Sequence, residues 1–162
     1  MPLSPLQKQS LPRAIAIVGP TAGGKSALAL RLAEGFGGEI IAADSRTIYR
    51  FLDIGTAKPA RDVASMELSC GCAFSSQGIA HHLIDRLDPS QTVSVASFKS
   101  YALECIAGIM ARKKIPFIVG GTGQYADVAL GGKQEVILAL GVDGDGSGKT
   151  GNAGLRHVLR HI

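Results

Sequence analysis

Tryptophan is absent from the 162 residues, and aromatic residues of all kinds make up only 5%. A surface that grips single-stranded nucleic acid by stacking its bases needs several exposed rings, so an aromatic base-stacking platform is not expected. Cysteine occurs three times, at Cys70, Cys72 and Cys105. So few, in odd number, build no disulfide framework, and a reducing cytoplasm is the expected setting. Cys70-Gly71-Cys72 has no second pair to complete a zinc site, while Cys105 falls on an apolar stripe and belongs in a core. No apolar run approaches the ~18 residues of a membrane span, and the opening MPLSPLQKQSLPR holds no apolar segment of a signal peptide. No block of five like charges occurs, and 17 Lys+Arg against 13 Asp+Glu leave a net charge of +4. That balance admits an anionic ligand or a nucleic acid without demanding either.

What is present is a hydrophobic fraction of 46% and 21 glycines, the profile of a single globular domain. Residues 1–13 read as a flexible leader with three prolines. Ala14–Val18 reads as a buried strand, Lys25 to about Glu34 as a helix ended by Gly35, and Glu39–Ala43 as a second strand. Asp44 to about Ile79 reads as a long loop with one short helix near Arg61–Leu68. His81–Asp85 reads as a third strand and Pro116–Gly120 as a fourth. Between them Phe98, Tyr101, Ala102, Cys105, Ile106 and Ile109 recur at helical spacing. The basic run Arg112-Lys113-Lys114 follows that helix, where its dipole favours cations. Strands alternating with helices predict an α/β fold with about four parallel strands. In such sheets ligands sit beyond the carboxyl ends of the strands. Residues 133–162 form a divergent, Gly-rich tail.

The sharpest motif is Gly19-Pro20-Thr21-Ala22-Gly23-Gly24-Lys25-Ser26, which fits G-x-x-x-x-G-K-[ST] in full and stands between a strand and a helix. Backbone N–H groups in such a loop cradle phosphate oxygens. Lys25 supplies a compact positive charge, and Ser26 a hydroxyl for Mg²⁺. The motif announces phosphate, not a reaction. Asp44-Ser45 follows the second strand, where a carboxylate can take a proton or hold a metal-bound water; an Asx-turn or a helix cap is an equal reading. Gly120-Gly121-Thr122-Gly123 permits close approach of backbone to a ligand, though on its own the motif reads first as a plain tight turn. His81 and His82 are neighbours on a strand and point to opposite faces, which favours hydrogen bonding over shared metal ligation. Asp143 to Thr150 nearly repeats the first motif, but an aspartate in the leading position repels phosphate, so it reads as a decoy loop.

Taken together, GPTAGGKSALAL, AADSRTIYRFLDIGTAKP, HHLID and PFIVGGTGQY resemble, in order and spacing, the tRNA dimethylallyltransferase (tRNA isopentenyltransferase) family. The resemblance runs from about Ala14 to Gly132, which marks 14–132 as a portion of a catalytic core. It implies a P-loop NTPase-like parallel sheet flanked by helices, incomplete relative to the family, whose members are considerably longer. It implies transfer of a dimethylallyl group from dimethylallyl diphosphate to N6 of the adenosine 3′ of the tRNA anticodon. Gly19–Ser26 would hold the diphosphate with Mg²⁺, Asp44 would act as base, and Thr122 would lie near the reacting atoms. Asp44, Ser45, Arg46, Thr47 and Thr122 would contact tRNA. Neither a membrane nor an obligate protein partner is implied. Arg46-Thr47 and Gln124 depart from the residues usual at those positions. Three alternatives stand beside this reading: an adenylate isopentenyltransferase acting on free AMP, a P-loop small-molecule kinase, and a non-catalytic fragment.

Overall fold

The computed structural model describes residues 13–19, 22–62, 67–68, 71–72, 74–121 and 135–140. Its elements in chain order are β1 (Arg13–Val18), α1 (Lys25–Phe36), β2 (Gly38–Ala42), β3 (Glu67–Leu68), β4 (Gly71–Cys72), β5 (Phe74–Ser76), β6 (Ile79–His82), α2 (Val95–Ala111), β7 (Ile115–Gly120) and β8 (Glu135–Leu140). Six strands form one sheet in the order β5-β6-β2-β7-β1-β8, while β3 and β4 pair separately. Every neighbour pair in the large sheet is parallel except β5–β6, an antiparallel hairpin at one edge. The expected parallel α/β sheet is therefore present, with two strands more than predicted: β5 adds the antiparallel edge, and the apolar run Val136–Leu140 pairs along β1 as part of β8.

Alternation along the strands sorts the core into two layers. Ala14, Ala16, Ile41, Ala43 and Ile118 pack under Phe98, Ala102, Cys105, Ile106 and Ile109 of α2. Ile15, Ile17, Ile40 and Phe117 pack under Ala29, Leu32 and Ala33 of α1 on the other face. A strand buried on both faces has no polar side to display, so β1 and β7 read as unbroken apolar runs. Cys105 lies in the α2 layer, 1% exposed, as its place on the stripe predicts. Ser94 and Ser97 close a reciprocal capping box at the start of α2.

Three boundaries differ from the sequence reading. Helix α1 runs past Gly35 and ends at Gly37, whose φ of 66° makes the left-handed cap that a glycine accepts without strain. The third strand stops at His82, because Leu83 (φ 62°) and Asp85 (φ 53°) turn left-handed. The Leu83–Leu87 stretch instead bonds back to Thr47 and Ile48 through the Asp85, Arg86 and Leu87 amides. The short helix expected near Arg61–Leu68 is not formed at its ends: Arg61 and Asp62 are irregular and Glu67–Leu68 is a strand.

Candidate functional site

Beyond the carboxyl ends of β1, β2 and β7 the chain builds a cleft of about 250 Å³ on the α1 side of the sheet. Its walls are the start of α1 and the segment Thr56–Pro59. Ile40, Ala42, Val119 and His81 form its floor, and Lys25, Ser26, Asp44, Gly120 and Gly121 its mouth. Placing the ligand region at the strand ends is thus a consequence of parallel topology.

The N-terminus of α1 forms one side of the mouth. Ala22 (φ 63°) and Gly24 (φ 73°) are both left-handed, and this bends the loop from β1 into the helix. Gly24 caps the helix with no side-chain acceptor, and the first turn holds no acidic residue. The first turn of α1 thus receives no side-chain cap from Gly24, and the positive end of the helix dipole lies at the mouth. Lys25 and Ser26 occupy the first two helical positions, so their side chains stand beside the first-turn amides. Gly19, directly after β1, leads into the loop; Pro20 and Thr21 lie outside the described residues.

Asp44 stands on the other side, where β2 ends. The Arg46 amide donates to its Oδ1 at 2.7 Å, so the Asx-turn reading is correct as far as it goes. That bond holds the carboxylate by one oxygen, and no hydrogen bond to Oδ2 is made among the described residues. The turn and a chemical role are therefore compatible. Ser45 and Arg46 are exposed, whereas Thr47 is 7% exposed, lines the cleft and directs its hydroxyl to the Asp44 carbonyl at 3.4 Å. Thr122 and Gly123 of the Gly120–Gly123 turn lie outside the described residues, as does Asp143–Thr150.

Gly120 has a specific reason to be glycine. A Cβ there would come within 2.7 Å of the Ala43 carbonyl oxygen, because β2 and β7 close to a 2.7 Å bond from the Ala43 amide to the Val119 carbonyl. Backbone atoms give way only if the strands part. Gly120→Ala is expected to lower stability by ~1–3 kcal/mol, the usual range for overpacking, read as a lower urea midpoint at unchanged slope.

Sequence reasoning missed the residue that fixes the cleft's outer wall. Lys58, its side chain 5% exposed, donates to the Tyr49 carbonyl (2.8 Å), Asp53 (3.0 Å) and Asp85 (2.6 Å). Arg61 adds a second cation to Asp85 at 3.3 Å. Burial works against the Lys58 charge, but the Asp85 and Asp53 bonds outweigh it and hold its pKa above the ordinary value. One ammonium thus ties the Tyr49–Asp53 loop to Asp85, a convergence that no spacing within the sequence displays. The loop it ties carries Phe51 and Ile54 at its crest, 78% and 99% exposed.

The two histidines divide as expected. His82 donates from Nε2 to Glu39 at 2.6 Å on the α2 side, and His81 turns to the cleft. Among the described residues no group of three His, Cys, Asp or Glu is placed to hold a metal.

Residues 47–157 match the family model described as "IPP transferase". The chain belongs to the IPP transferase family. The match continues past Gly132, where the resemblance in motifs stops, and takes in β8. Over 121 residues the chain is 50% identical to the tRNA dimethylallyltransferase of Chloroflexus aggregans, covering 74% of this chain and 36% of that protein. Among solved structures it resembles the full-length tRNA isopentenylpyrophosphate transferase of Bacillus halodurans, at 40% identity and TM-score 0.61, over 74% of this chain and 35% of that one. A eukaryotic dimethylallyltransferase acting on tRNA aligns at 31% identity and TM-score 0.62, over 76% and 28%. This IPP transferase chain spans about a third of the length of the curated relatives it matches. No helix among its described residues is long and apolar enough to cross a membrane.

Proposed function

We propose that this chain carries the donor site and the base of a tRNA dimethylallyltransferase. The observation that carries the reading is the cleft itself. The N-terminus of α1, with Gly24 at its cap and Lys25 and Ser26 in its first turn, faces a carboxylate, Asp44, across an apolar floor. In this reading the diphosphate of dimethylallyl diphosphate rests on the α1 amides and Lys25 while its apolar tail lies on Ile40, Ala42 and Val119. The N6 amino group of an extruded adenine attacks C1, the C1–O bond breaks, diphosphate leaves, and Asp44 Oδ2 takes the proton released from N6. Negative charge grows on the departing diphosphate, so the amides and Lys25 act more strongly in the transition state than in the ground state. Thr122 contributes beside the reacting atoms and Ser45 and Arg46 on the tRNA side, as the family resemblance implies.

The residues present suit magnesium. Magnesium keeps several waters and is held mostly by phosphate oxygens with one or two protein ligands. The Ser26 hydroxyl beside the helix N-terminus offers such a ligand, and no all-protein cage competes for the ion among the described residues. When bound, the ion would neutralise charge on the leaving group.

Thermal unfolding of the whole chain in Mg²⁺ tests the reading. Dimethylallyl diphosphate at a hundred times its Kd is expected to add ~2.7 kcal/mol, which raises Tm by about 5–10 °C for a domain of this size. Plain diphosphate is expected to give a smaller shift, and Lys25→Ala to abolish both. A rise with ATP alone would overturn the proposal in favour of a kinase.

A further inference from the structure

The loop that forms the outer wall of the cleft carries an apolar crest that the proposed reaction does not use. Phe51, Leu52 and Ile54 are 78%, 42% and 99% exposed, and none of them lines the cleft. One exposed apolar side chain is ordinary, but these lie together on one short loop and make a patch. The backbone beneath them is fixed from both sides. Tyr49 bridges Leu87, and the Arg50 amide donates to the Leu87 carbonyl at 2.8 Å. The Thr56 hydroxyl donates to the Leu52 carbonyl at 2.6 Å, and Lys58 holds the Tyr49 carbonyl and Asp53. Phe51 itself has a φ of 64°, a left-handed conformation that a bulky side chain rarely adopts. The fold therefore holds this ring out in water against a conformational strain, a pattern that marks sites of function.

Cations flank the crest. Arg46 and Arg50 are exposed on its N-terminal side, and Arg61, its side chain 50% exposed, follows on its C-terminal side. Arg50 and Arg61 both bond to Asp85, one to its carbonyl (2.8 Å) and one to its carboxylate (3.3 Å), so they stand at the same tie as Lys58. Asp53 is the carboxylate within the crest, and Lys58 offsets it at 3.0 Å. Directly after the crest, Thr56 and Ala57 line the cleft whose mouth holds Lys25 and Asp44. Three side chains fall far short of the ~800 Å² per partner of a stable protein interface. An apolar tip among arginines, beside a cleft that takes an extruded base, instead suits nucleic acid: cations hold the phosphates while Phe, Leu or Ile enters between base steps. One ring is a wedge and not a stacking platform, so the scarcity of aromatic residues does not oppose it. We propose that Phe51 is a positioning residue whose ring enters the anticodon-loop stack where the acceptor adenine leaves it, and so keeps that adenine in the cleft. The inference rests on the proposed transfer to tRNA.

The test uses an RNA copy of the anticodon arm with 2-aminopurine in place of the acceptor adenosine. This base has no N6 amino group and cannot react, and its fluorescence rises when it leaves the stack. With the whole chain, Mg²⁺ and plain diphosphate, the RNA is expected to bind and brighten. Phe51→Ala is expected to move the ratio of extruded to stacked base about ten-fold toward the stacked state, within the range for one base–aromatic contact. Phe51→Trp, which restores a ring, is expected to brighten as the unsubstituted protein does, a rescue that a merely structural residue would not give. Because Phe51 is exposed, diphosphate Kd is expected to stay within about two-fold in both variants, as for ordinary surface substitutions. Equal brightening with Phe51→Ala, or RNA that binds the unsubstituted protein without brightening, would overturn the wedge and leave the tRNA reading standing. An association between copies of the chain in sedimentation that Phe51→Ala dissolves would assign the crest to a protein contact and overturn it too. If the unsubstituted chain binds diphosphate but not the RNA, the tRNA reading fails, and the wedge fails with it.

Discussion

Asp44→Asn is expected to lower the rate of dimethylallyl transfer to tRNA by ~10²–10⁴-fold, the contribution of a positioned general base, with diphosphate affinity unchanged within roughly two-fold. The geometry makes this a clean substitution. Oδ1 accepts the Arg46 amide at 2.7 Å, and an asparagine oxygen can accept it in the same way, so the turn survives. What changes is the second atom: Oδ2, which takes no bond from the described residues, becomes an NH₂ group that donates and cannot accept. The loss falls on the chemical step and leaves ground-state binding in place, so kcat and kcat/KM should drop together. Single-turnover transfer of labelled donor to tRNA, with diphosphate Kd measured alongside, checks both halves. Full activity in Asp44→Asn would remove the base assignment. A large loss of diphosphate affinity would mean that the carboxylate organises the phosphate site.

The parts of this arrangement that were legible in the sequence are those written in local order. The first motif sits between an apolar run and an amphipathic run, and the structure forms β1, the left-handed turn at Gly24 and α1 from them. The stripe from Phe98 to Ile109 buries as its period predicts, because a helix against a sheet offers one face only. Asp44 was visible because a carboxylate directly after a strand falls where ligands bind. What was not legible depends on contacts between distant segments. Lys58 reads as one more charged residue in a loop until Tyr49, Asp53 and Asp85 converge on it. Val136–Leu140 lies in Gly-rich surroundings, and only a strand partner, β1, gives it a place in the sheet. The end of the third strand depended on left-handed backbone at Leu83 and Asp85, which residue types other than glycine and asparagine seldom announce. The basic run after α2 invited a dipole explanation. Two of its members, Arg112 and Lys114, instead reach a carboxylate far away in the chain.

That carboxylate, Glu39, carries the second large expectation. Its side chain is 2% exposed and receives His82 Nε2 (2.6 Å), Arg112 through two nitrogens (3.2 and 2.7 Å) and Lys114 (3.0 Å). Burial alone would raise its pKa, but the bonds from His82, Arg112 and Lys114 prevail and hold the carboxyl well below the usual carboxylate range. Lys114 is 46% exposed and its share is screened by water, whereas His82 is 1% exposed and its bond is shielded from solvent. Removing one partner of a buried ionic cluster leaves the rest uncompensated, so Glu39→Ala is expected to cost ~3–5 kcal/mol, enough to lower Tm by about 10 °C or more. The pH dependence follows from the same bonds. Below about pH 4.5, the ordinary value for this side chain, the unfolded chain takes up a proton at Glu39 and the folded chain does not, so acid favours unfolding. The stabilisation is present above that pH and is lost progressively as pH falls below it. Urea midpoints from pH 7 to pH 3 should therefore fall more steeply for the unsubstituted protein than for Glu39→Gln. Parallel slopes would show that Glu39 is not ionised in the fold. The cluster also bears on the cleft, although it lies on the opposite face of the sheet. Glu39 precedes Ile40 on β2, and His82 follows His81 on β6, so the bond between them fixes the register of two of the three strands that form the cleft floor. Glu39→Gln is accordingly expected to weaken donor binding before it unfolds the chain.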